Sequence, residues 1–327
     1  MLKFPSFVER LSFRVPFVVF FKFGFKLLRI MLKRFGKLNI FFRRLEVSLY
    51  TLESLNNLDS KPEIDILILV APKDLELLNH VIQGGLYSSK NKVRKVHIVT
   101  PNISGVNQTL NGNYSNMIFV YEDSEILDEL LTQFIEEKCG RRSGWVKQQL
   151  ITNFFISNRA EIPTLNIDSD TILTKPRKWI DIDLTQVLTP TWEYNKGYYK
   201  FLLNLNPKLY RNVNLSFVPH HMLFIPKVFK TINRLNDLSR VNLFKTINNQ
   251  LSQGNINDFD FKYDYYAQAF INLDLSHKFE KWSNLSIPRD RLNDLLKSVK
   301  SQEDFEIFAQ SINYASVSGH EWSRSND

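Results

Sequence analysis

The sequence predicts an α/β fold with a mixed, largely parallel sheet that is flanked by helices. After residue 63, apolar runs of strand length alternate with helical patterns, which is typical of a sheet covered on both faces. A chain of 327 residues with 43% apolar content is long enough to bury such a core. A pair of aspartates also follows one predicted strand, at the edge where ligands bind in such folds.

The first half of this region opens with a strand, a loop and a helix. The strand is predicted at residues 64–70, and a helical pattern follows from Leu75. Two more strands are predicted at 96–100 and 117–121, and a helix capped by Ser124 follows the second of them. No glycine-rich phosphate loop follows these strands, which argues against a P-loop nucleotidase and against a dinucleotide oxidoreductase.

A longer helix and a strand with an acidic end come next. The helix is predicted from Gly144 to about residue 157, and an apolar strand is predicted at 162–167. Asp168 and Asp170 follow that strand directly. Residues two apart in an extended segment point the same way, and hard divalent cations prefer carboxylate oxygen, so this pair predicts a metal site. A polar turn is the alternative, because Asp and Ser are common in turns.

Two later segments combine chemically active side chains with aromatic residues. His220 and His221 precede an apolar strand, and neighbours on a strand alternate faces, so at most one is expected in a site. We expect His221 to be that residue, the alternative being a purely structural histidine. Three aspartates precede a predicted helix, and we expect Asp264 to be a general base, with Asp260 and Asp258 as the next candidates. An acid at a helix N-terminus, stabilised by the macrodipole, is the alternative for Asp264.

Four of these signatures, in this order, resemble the bacterial family known as DUF6492, which looks like a branch of the GT-A glycosyltransferases. They are the Gly-Trp with Gln-Gln on the helix, the Asp-Ser-Asp at the strand end, the His-His segment, and the Tyr-Asp-Tyr-Tyr segment at 263–266. The resemblance covers about residues 63–325, and it implies a GT-A-like, Rossmann-like domain of the nucleotide-diphospho-sugar transferase class, with the domain taken as 63–327.

The resemblance implies a role for each matching position. The first β-α segment would hold the nucleoside, and the Asp-x-Asp pair would bind Mn²⁺ or Mg²⁺ on the donor diphosphate, with a late histidine reaching the same cation. It assigns Val70, Ala71 and Asp74 to the nucleoside and Asp168, Asp170 and His320 to the metal, a polar chain end being the alternative for His320. Further candidates for donor binding are Trp145, Gln148, Gln149 and His221, with core packing as the alternative for the tryptophan and capping of a neighbouring loop for the glutamines. One departure is that Thr152-Asn153 stands where a basic residue is expected, which puts a phosphate contact from that turn in doubt.

Residues 1–62 differ in composition from the rest and predict a basic, Phe-rich amphipathic arm. Residues 1–46 hold eleven Lys and Arg, two Glu and eleven of the 26 Phe, whereas the remainder of the chain is close to neutral. Lys22, Lys26, Arg29, Lys33 and Lys37 recur at helical spacing along one stripe. This pattern predicts a helix lying on an anionic membrane surface without spanning it, and a helix packed on the body is the alternative. Interleaved Phe at this density suits lipid better than nucleic acid.

The sequence therefore predicts a metal-dependent glycosyltransferase on the inner face of the cytoplasmic membrane. It would move a sugar from a nucleotide-sugar donor to a surface-glycan or lipid-linked acceptor, and the single cysteine, Cys139, fits a reducing compartment. Two alternatives remain open at this stage. One is a nucleotidyltransferase of the same fold class, and the other is a non-catalytic membrane or glycan-binding protein with a degenerate site.

Overall fold

A computed structural model of the chain describes residues 62–110, 114, 116–191, 195–210, 215–252 and 256–320. The predicted membrane arm at residues 1–46 lies outside these residues, as does the tail after residue 320. Within the described ranges, no helix combines the length and the apolar character needed to cross a membrane.

The strands of the described residues form three sheets, and their bounds follow in chain order. They are β1 (Ile64–Leu69), β2 (Val93–Thr100), β3 (Ile118–Glu122), β4 (Thr164–Asp168), β5 (Thr171–Leu173), β6 (Gln186–Leu188), β7 (His221–Phe224), β8 (His277–Phe279), β9 (Asn284–Pro288) and β10 (Ser316–His320).

The central sheet has the strand order β3-β2-β1-β4-β7. Its first four strands are parallel, and β7 runs antiparallel to β4. The carboxyl ends of β1, β2, β3 and β4 therefore meet at one edge, and the start of β7 lies at the same edge. Two smaller sheets, β5-β10-β9 and β6-β8, flank the central one. The predicted mixed α/β sheet, which is also the architecture implied by the GT-A resemblance, is confirmed.

The helices connect the strands and cover both faces of the central sheet. The described α-helices are α1 (Leu78–Ser88), α2 (Ile103–Thr109), α3 (Glu129–Cys139), α4 (Ser143–Asn158), α5 (Lys196–Leu205), α6 (Pro226–Leu235), α7 (Arg240–Ser252), α8 (Tyr263–Asn272), α9 (Arg289–Leu296) and α10 (Gln302–Ser311).

Two apolar cores lie on opposite faces of the sheet, because successive strand side chains point to opposite faces. In β1, Leu67 and Leu69 belong to the core beneath α3, α4, α6 and α8. Ile66 and Ile68 belong to the other core, beneath α1, α9 and α10. All six residues of β1 are buried, which explains why this strand appears in the sequence as a nearly unbroken apolar run.

The predicted cap of the third helix is wrong by four residues. Ser124 lies in a short 3-10 turn, Asp123–Glu125, and α3 begins only at Glu129. The side chain of Asp128 accepts the backbone N–H of Leu131 at 3.0 Å and caps the helix. Asp and Ser are both favoured at this position, so the sequence alone did not distinguish them.

Candidate functional site

A cleft of about 670 Å³ opens at the carboxyl ends of β1, β2 and β4. This volume falls in the range of small-molecule sites. Of the predicted site residues, those that line it are Val70, Ala71, Asp74, Trp145, Gln148, Gln149, Asp168, Asp170 and Asp260. The fold thus brings together positions from four separate segments of the chain, while His221 and Asp264 lie elsewhere.

Asp168 ends β4 and is the centre of a dense polar cluster. Its Oδ1 accepts hydrogen bonds from the ammonium of Lys262 at 2.6 Å and from the hydroxyl of Tyr263 at 2.9 Å. Its Oδ2 lies 3.3 Å from Nδ1 of His220. Burial alone would raise the pKa of the Asp168 carboxyl, but the charge of Lys262 and the contact with His220 outweigh it and lower that pKa below its usual value. Asp168 is therefore a carboxylate held by three partners.

His220, and not His221, faces the cleft, which corrects the prediction. The strand β7 begins at His221, and His220 precedes it with a φ of 64°, in the left-handed region. The backbone N–H of Asp168 donates to the carbonyl of His220 at 2.9 Å, which extends the β4–β7 pairing to this residue. The left-handed conformation turns the imidazole of His220 toward Asp168, and such conformations are concentrated at functional sites.

His221 is buried on the other side of the strand. Its ring lies against two indoles, with centroid distances of 5.4 Å to Trp179 and 4.6 Å to Trp282. Burial, together with the charge of Arg177, lowers the pKa of His221 well below its ordinary value. A neutral histidine in an aromatic box has a packing role, and His221 is not among the residues that line the cleft.

The loop after β1 is tied to the Asp-x-Asp turn by a second polar cluster. The carboxylate of Asp74 accepts the hydroxyl of Ser169 at 2.7 Å and forms an ion pair with Arg289 at the start of α9. Arg289 also donates to the carbonyl of Lys73 at 2.9 Å. Asp74 lines the cleft as predicted, but its carboxylate holds the turn and the arginine in place.

Asp260 lines the cleft and is buried, with 4% of its surface exposed. Its carboxylate accepts backbone N–H groups at the start of α8, from Lys262 at 3.0 Å and from Tyr265 at 3.3 Å. Burial raises the pKa of Asp260 despite these hydrogen bonds. A raised carboxyl pKa beside a cleft is a property of general bases, although helix capping explains the position as well.

Asp264 does not reach the cleft, and its predicted catalytic role is corrected accordingly. It is fully buried, its Oδ1 accepts the N–H of Phe217 at 2.8 Å, and its Oδ2 accepts the hydroxyl of Ser216 at 3.2 Å. Burial and the nearby Asp260 raise the pKa of Asp264. The side chain fixes the segment before β7 to α8, and an acceptor hydroxyl cannot approach it.

The helix α4 contributes one wall of the cleft. Trp145 is half-buried and stacks on Tyr198 of α5, with a centroid distance of 6.2 Å, and both rings line the cleft. Gln148 is also half-buried in this wall. Gln149 is buried and binds backbone instead, accepting the N–H of Phe261 at 2.8 Å. The Gln-Gln pair therefore separates into one residue that faces the cleft and one that holds the segment before α8.

The main chain brings the late histidine close to the Asp-x-Asp turn. The N–H of Gly319 donates to the carbonyl of Asp170 at 2.9 Å, and His320 follows as the last residue of β10. The side chain of His320 lies outside what the structure describes. Its predicted metal contact stays a prediction.

The donor set at the turn does not fit the predicted divalent cation. Both carboxylate oxygens of Asp168 are engaged by N–H or O–H donors, and the ammonium of Lys262 brings a positive charge to the position that a cation would take. Across the described residues, no group of three or more His, Cys, Asp or Glu side chains is placed to hold a metal ion. A cation at Asp168 would have to displace Lys262 first.

Sequence reasoning missed three residues of this site. Lys262, Tyr263 and Arg289 line the cleft, and each of them contacts one of the predicted aspartates. A signal existed for Lys262, because it is the one basic residue among the acidic and aromatic residues of 258–266. Arg289 lies more than two hundred positions from its partner Asp74 and carries no local signal.

Comparison with known protein families and with curated proteins found no match for this chain. Among solved structures, the chain is similar to the crystal structure of an active-site mutant of LgtC, with 12% identity and a TM-score of 0.43. The similarity covers 79% of this chain and 88% of that chain. A structural similarity with this TM-score does not indicate the activity of this chain.

Proposed function

We propose that this chain is a glycosyltransferase that uses a nucleotide-diphosphate sugar as its donor, and that it belongs to the DUF6492 family that its motifs resemble. The supporting observation is the single cleft shared by the first β-α loop and the Asp168-Ser169-Asp170 turn. In an open α/β sheet, ligands bind outside the carboxyl ends of the strands, and this cleft has the size of a small-molecule site.

Different residues of the cleft suit the two parts of such a donor. Val70, Ala71 and Val99 offer backbone and apolar surface at the ends of β1 and β2, which suits a nucleoside. Lys262 and Arg289 bring cationic groups to the turn, which suits a diphosphate. The stacked rings of Trp145 and Tyr198 add an aromatic wall to the same cleft, and aromatic faces pack well against sugar rings.

The proposed reaction breaks the bond between the anomeric carbon and the diphosphate oxygen, and the electron pair leaves with the nucleoside diphosphate. A bond forms between the anomeric carbon and the acceptor oxygen, whose proton passes to a base. We assign that base to Asp260, which lines the cleft and has a raised pKa. In this proposal Lys262 and Arg289 lie where charge develops on the leaving group.

The acceptor and the location follow from the sequence of the arm. A stripe of five basic residues among Phe side chains favours an anionic membrane surface. We therefore propose a lipid-linked or surface-glycan acceptor and a peripheral position on the inner face of the cytoplasmic membrane. Confinement to the surface would raise the encounter rate with such an acceptor.

A panel of sugar nucleotides, incubated with the full chain and Mn²⁺, tests the proposed reaction. Slow release of nucleoside diphosphate from one donor is expected, because water replaces the acceptor at a low rate. Exchange of labelled pyrophosphate into the sugar nucleotide would instead support a nucleotidyltransferase. Binding of glycans without turnover of any donor would support a non-catalytic protein.

The variant Asp260→Asn tests the assignment of the base. It should lower the turnover number by about 100-fold or more, since general base catalysis contributes about 10² to 10⁴ in rate. The variant Asp237→Asn is the matched control, because it makes the same change at a described aspartate outside this cleft. Equal turnover by Asp260→Asn and the wild type would refute the assignment.

A further inference from the structure

The ammonium of Lys262 occupies the inner side of the Asp-x-Asp turn. It lies 2.6 Å from Oδ1 of Asp168, with side-chain exposures of 5% for the lysine and 16% for the aspartate. It also lies 4.4 Å from the ring centroid of Tyr263. A nearly buried ammonium is costly unless it is paired or functional, and this one lines the candidate cleft.

A second, partly buried cation is connected to the same turn through Asp74. Arg289, whose side chain is 11% exposed, is paired with Asp74, and Asp74 in turn accepts the hydroxyl of Ser169. Lys262 therefore contacts the turn at Asp168, and Arg289 is linked to it at Ser169. Both side chains are held by carboxylates, so their positions are fixed before any ligand arrives.

The hydrogen bonds of Asp168 conflict with cation binding. A metal ion needs carboxylate lone pairs, whereas here Lys262 and Tyr263 both donate to Oδ1 and His220 contacts Oδ2, so three of the about four acceptor positions are taken. A divalent cation in this position would also be repelled by the lysine charge at close range. By contrast, an ammonium has three N–H donors and Asp168 is its one described acceptor, which leaves donors for phosphate oxygens.

We propose that Lys262 supplies the positive charge that binds the donor diphosphate at the Asp168-Ser169-Asp170 turn, with Arg289 as the second cation, and that donor binding needs no divalent metal. This inference rests on the proposed function, because it assumes a nucleoside diphosphate group in the cleft. Asp168 then acts by positioning Lys262, and it does not act as a metal ligand. Lys262 touches the ligand and also neutralises the leaving group as its negative charge grows.

Calorimetric titration of the full chain with UDP, GDP, CDP and ADP tests this assignment, once with EDTA and once with Mn²⁺. One of the four nucleotides is expected to bind with the same dissociation constant, within about twofold, under both conditions. Lys262→Met should weaken that binding by about tenfold or more, since it removes a charge-assisted contact to the diphosphate. Lys262→Arg should retain most of the affinity.

A matched control is Lys278→Met, which removes another ion-paired lysine. Lys278 pairs with Asp181 at 2.8 Å and lies outside the cleft, so nucleotide affinity should not change. Circular dichroism of each variant verifies that it folds. If Lys262→Met fails to fold, the comparison of EDTA with Mn²⁺ on the wild type decides the question.

Two results would overturn the inference. One is wild-type binding that disappears in EDTA and returns with Mn²⁺, and the other is undiminished binding by folded Lys262→Met. Failure of all four nucleotides to bind under both conditions would be a different result. It would contradict the proposed function itself, and the inference with it.

Discussion

Lys262 and Asp168 form a 2.6 Å ion pair across 94 positions of sequence. The lysine comes from the segment before α8, the aspartate ends β4, and the pair lies in the wall of the cleft. Because both groups are shielded from water, each depends on the other for compensation of its lost hydration. This one contact therefore links the stability of this part of the fold to the wall of the cleft.

The first prediction concerns the contribution of the Lys262–Asp168 ion pair to stability. Asp168→Asn should lower the free energy of unfolding by about 3 to 5 kcal/mol, since it leaves a buried ammonium without its carboxylate. The double variant Asp168→Asn with Lys262→Met should recover most of this loss, because both charges are then absent. Urea denaturation monitored by circular dichroism measures both values.

Asp170→Asn is the control, since it makes the same change in the same turn and keeps the Asp168 carboxylate that binds Lys262 at 2.6 Å. It should change the free energy of unfolding by less than about 1 kcal/mol. If Asp168→Asn lowered the free energy of unfolding by as little as Asp170→Asn, the ion pair would not contribute to stability.

The second prediction concerns the backbone of His220. Its φ of 64° is unfavourable for most residues, and Asn and Gly adopt this region more readily than Ala. His220→Gly and His220→Asn should therefore be more stable than His220→Ala by about 1 kcal/mol. Thermal unfolding of the three variants gives the order, and a more stable alanine variant would contradict the left-handed conformation.

These two sites show how far the sequence could predict the structure. The strands were predictable because continuous apolar runs and helical periodicity are local signals, and β1, β2, β3 and β4 lie within a few residues of their predicted bounds. The Asp-x-Asp pair was predictable for the same reason, since the strand and its acidic end are adjacent in sequence. Its ion pair with Lys262 was not, because the partner comes from a distant segment.

The choice between the histidines failed for a specific local reason. Side chains alternate between faces only within a strand. Here β7 begins at His221, and His220 before it has a left-handed backbone, so the rule does not apply to the pair. The prediction for Asp264 failed for a tertiary reason. The start of α8 turns this carboxyl toward Ser216 and Phe217, and no sequence pattern shows which face of a buried helix meets a cleft.

The third prediction is a pH dependence of stability that arises from Asp264. Burial and the nearby Asp260 raise the pKa of Asp264 from 3.8 to about 8 in the folded protein. The folded state therefore holds a proton that the unfolded state releases, so this contribution to stability is complete below about pH 4 and is lost as pH rises through about 8. Asp264→Asn cannot ionise and should show a flatter profile.

Urea midpoints measured from about pH 5 to about pH 9 compare the two proteins. The asparagine keeps an amide oxygen that can accept the N–H of Phe217, so the variant should still fold. Two results would contradict the prediction. One is a wild-type urea midpoint that rises from about pH 5 to about pH 9, and the other is a midpoint that falls equally in the wild type and in Asp264→Asn.

The fourth prediction concerns the arm. Replacing Lys22, Lys26, Arg29, Lys33 and Lys37 by Gln should reduce binding of the full chain to vesicles that contain phosphatidylserine. Each basic residue near such a surface contributes about 1 kcal/mol, so the loss should be large. Co-sedimentation measures it, with phosphatidylcholine vesicles as the neutral control. Equal sedimentation of both proteins with the anionic vesicles would exclude an electrostatic role for the stripe.

The fifth prediction separates the two glutamines of α4, which are adjacent in sequence but have different partners. Gln149 is buried and binds the backbone of Phe259 and Phe261, so Gln149→Ala leaves backbone groups without partners. It should lower the free energy of unfolding by about 1 to 3 kcal/mol. Gln148 is half-buried in the cleft wall, and Gln148→Ala should change stability by less than about 1 kcal/mol while weakening nucleotide binding.

Urea denaturation and calorimetric titration of both variants give a two-by-two comparison. The structure predicts opposite losses, with stability reduced mainly in Gln149→Ala and affinity reduced mainly in Gln148→Ala. Each variant is the control for the other, because the residue type, the helix and the size of the deletion are the same. Similar losses of stability in both variants would mean that the two glutamines act together in packing and would contradict the separation of their roles.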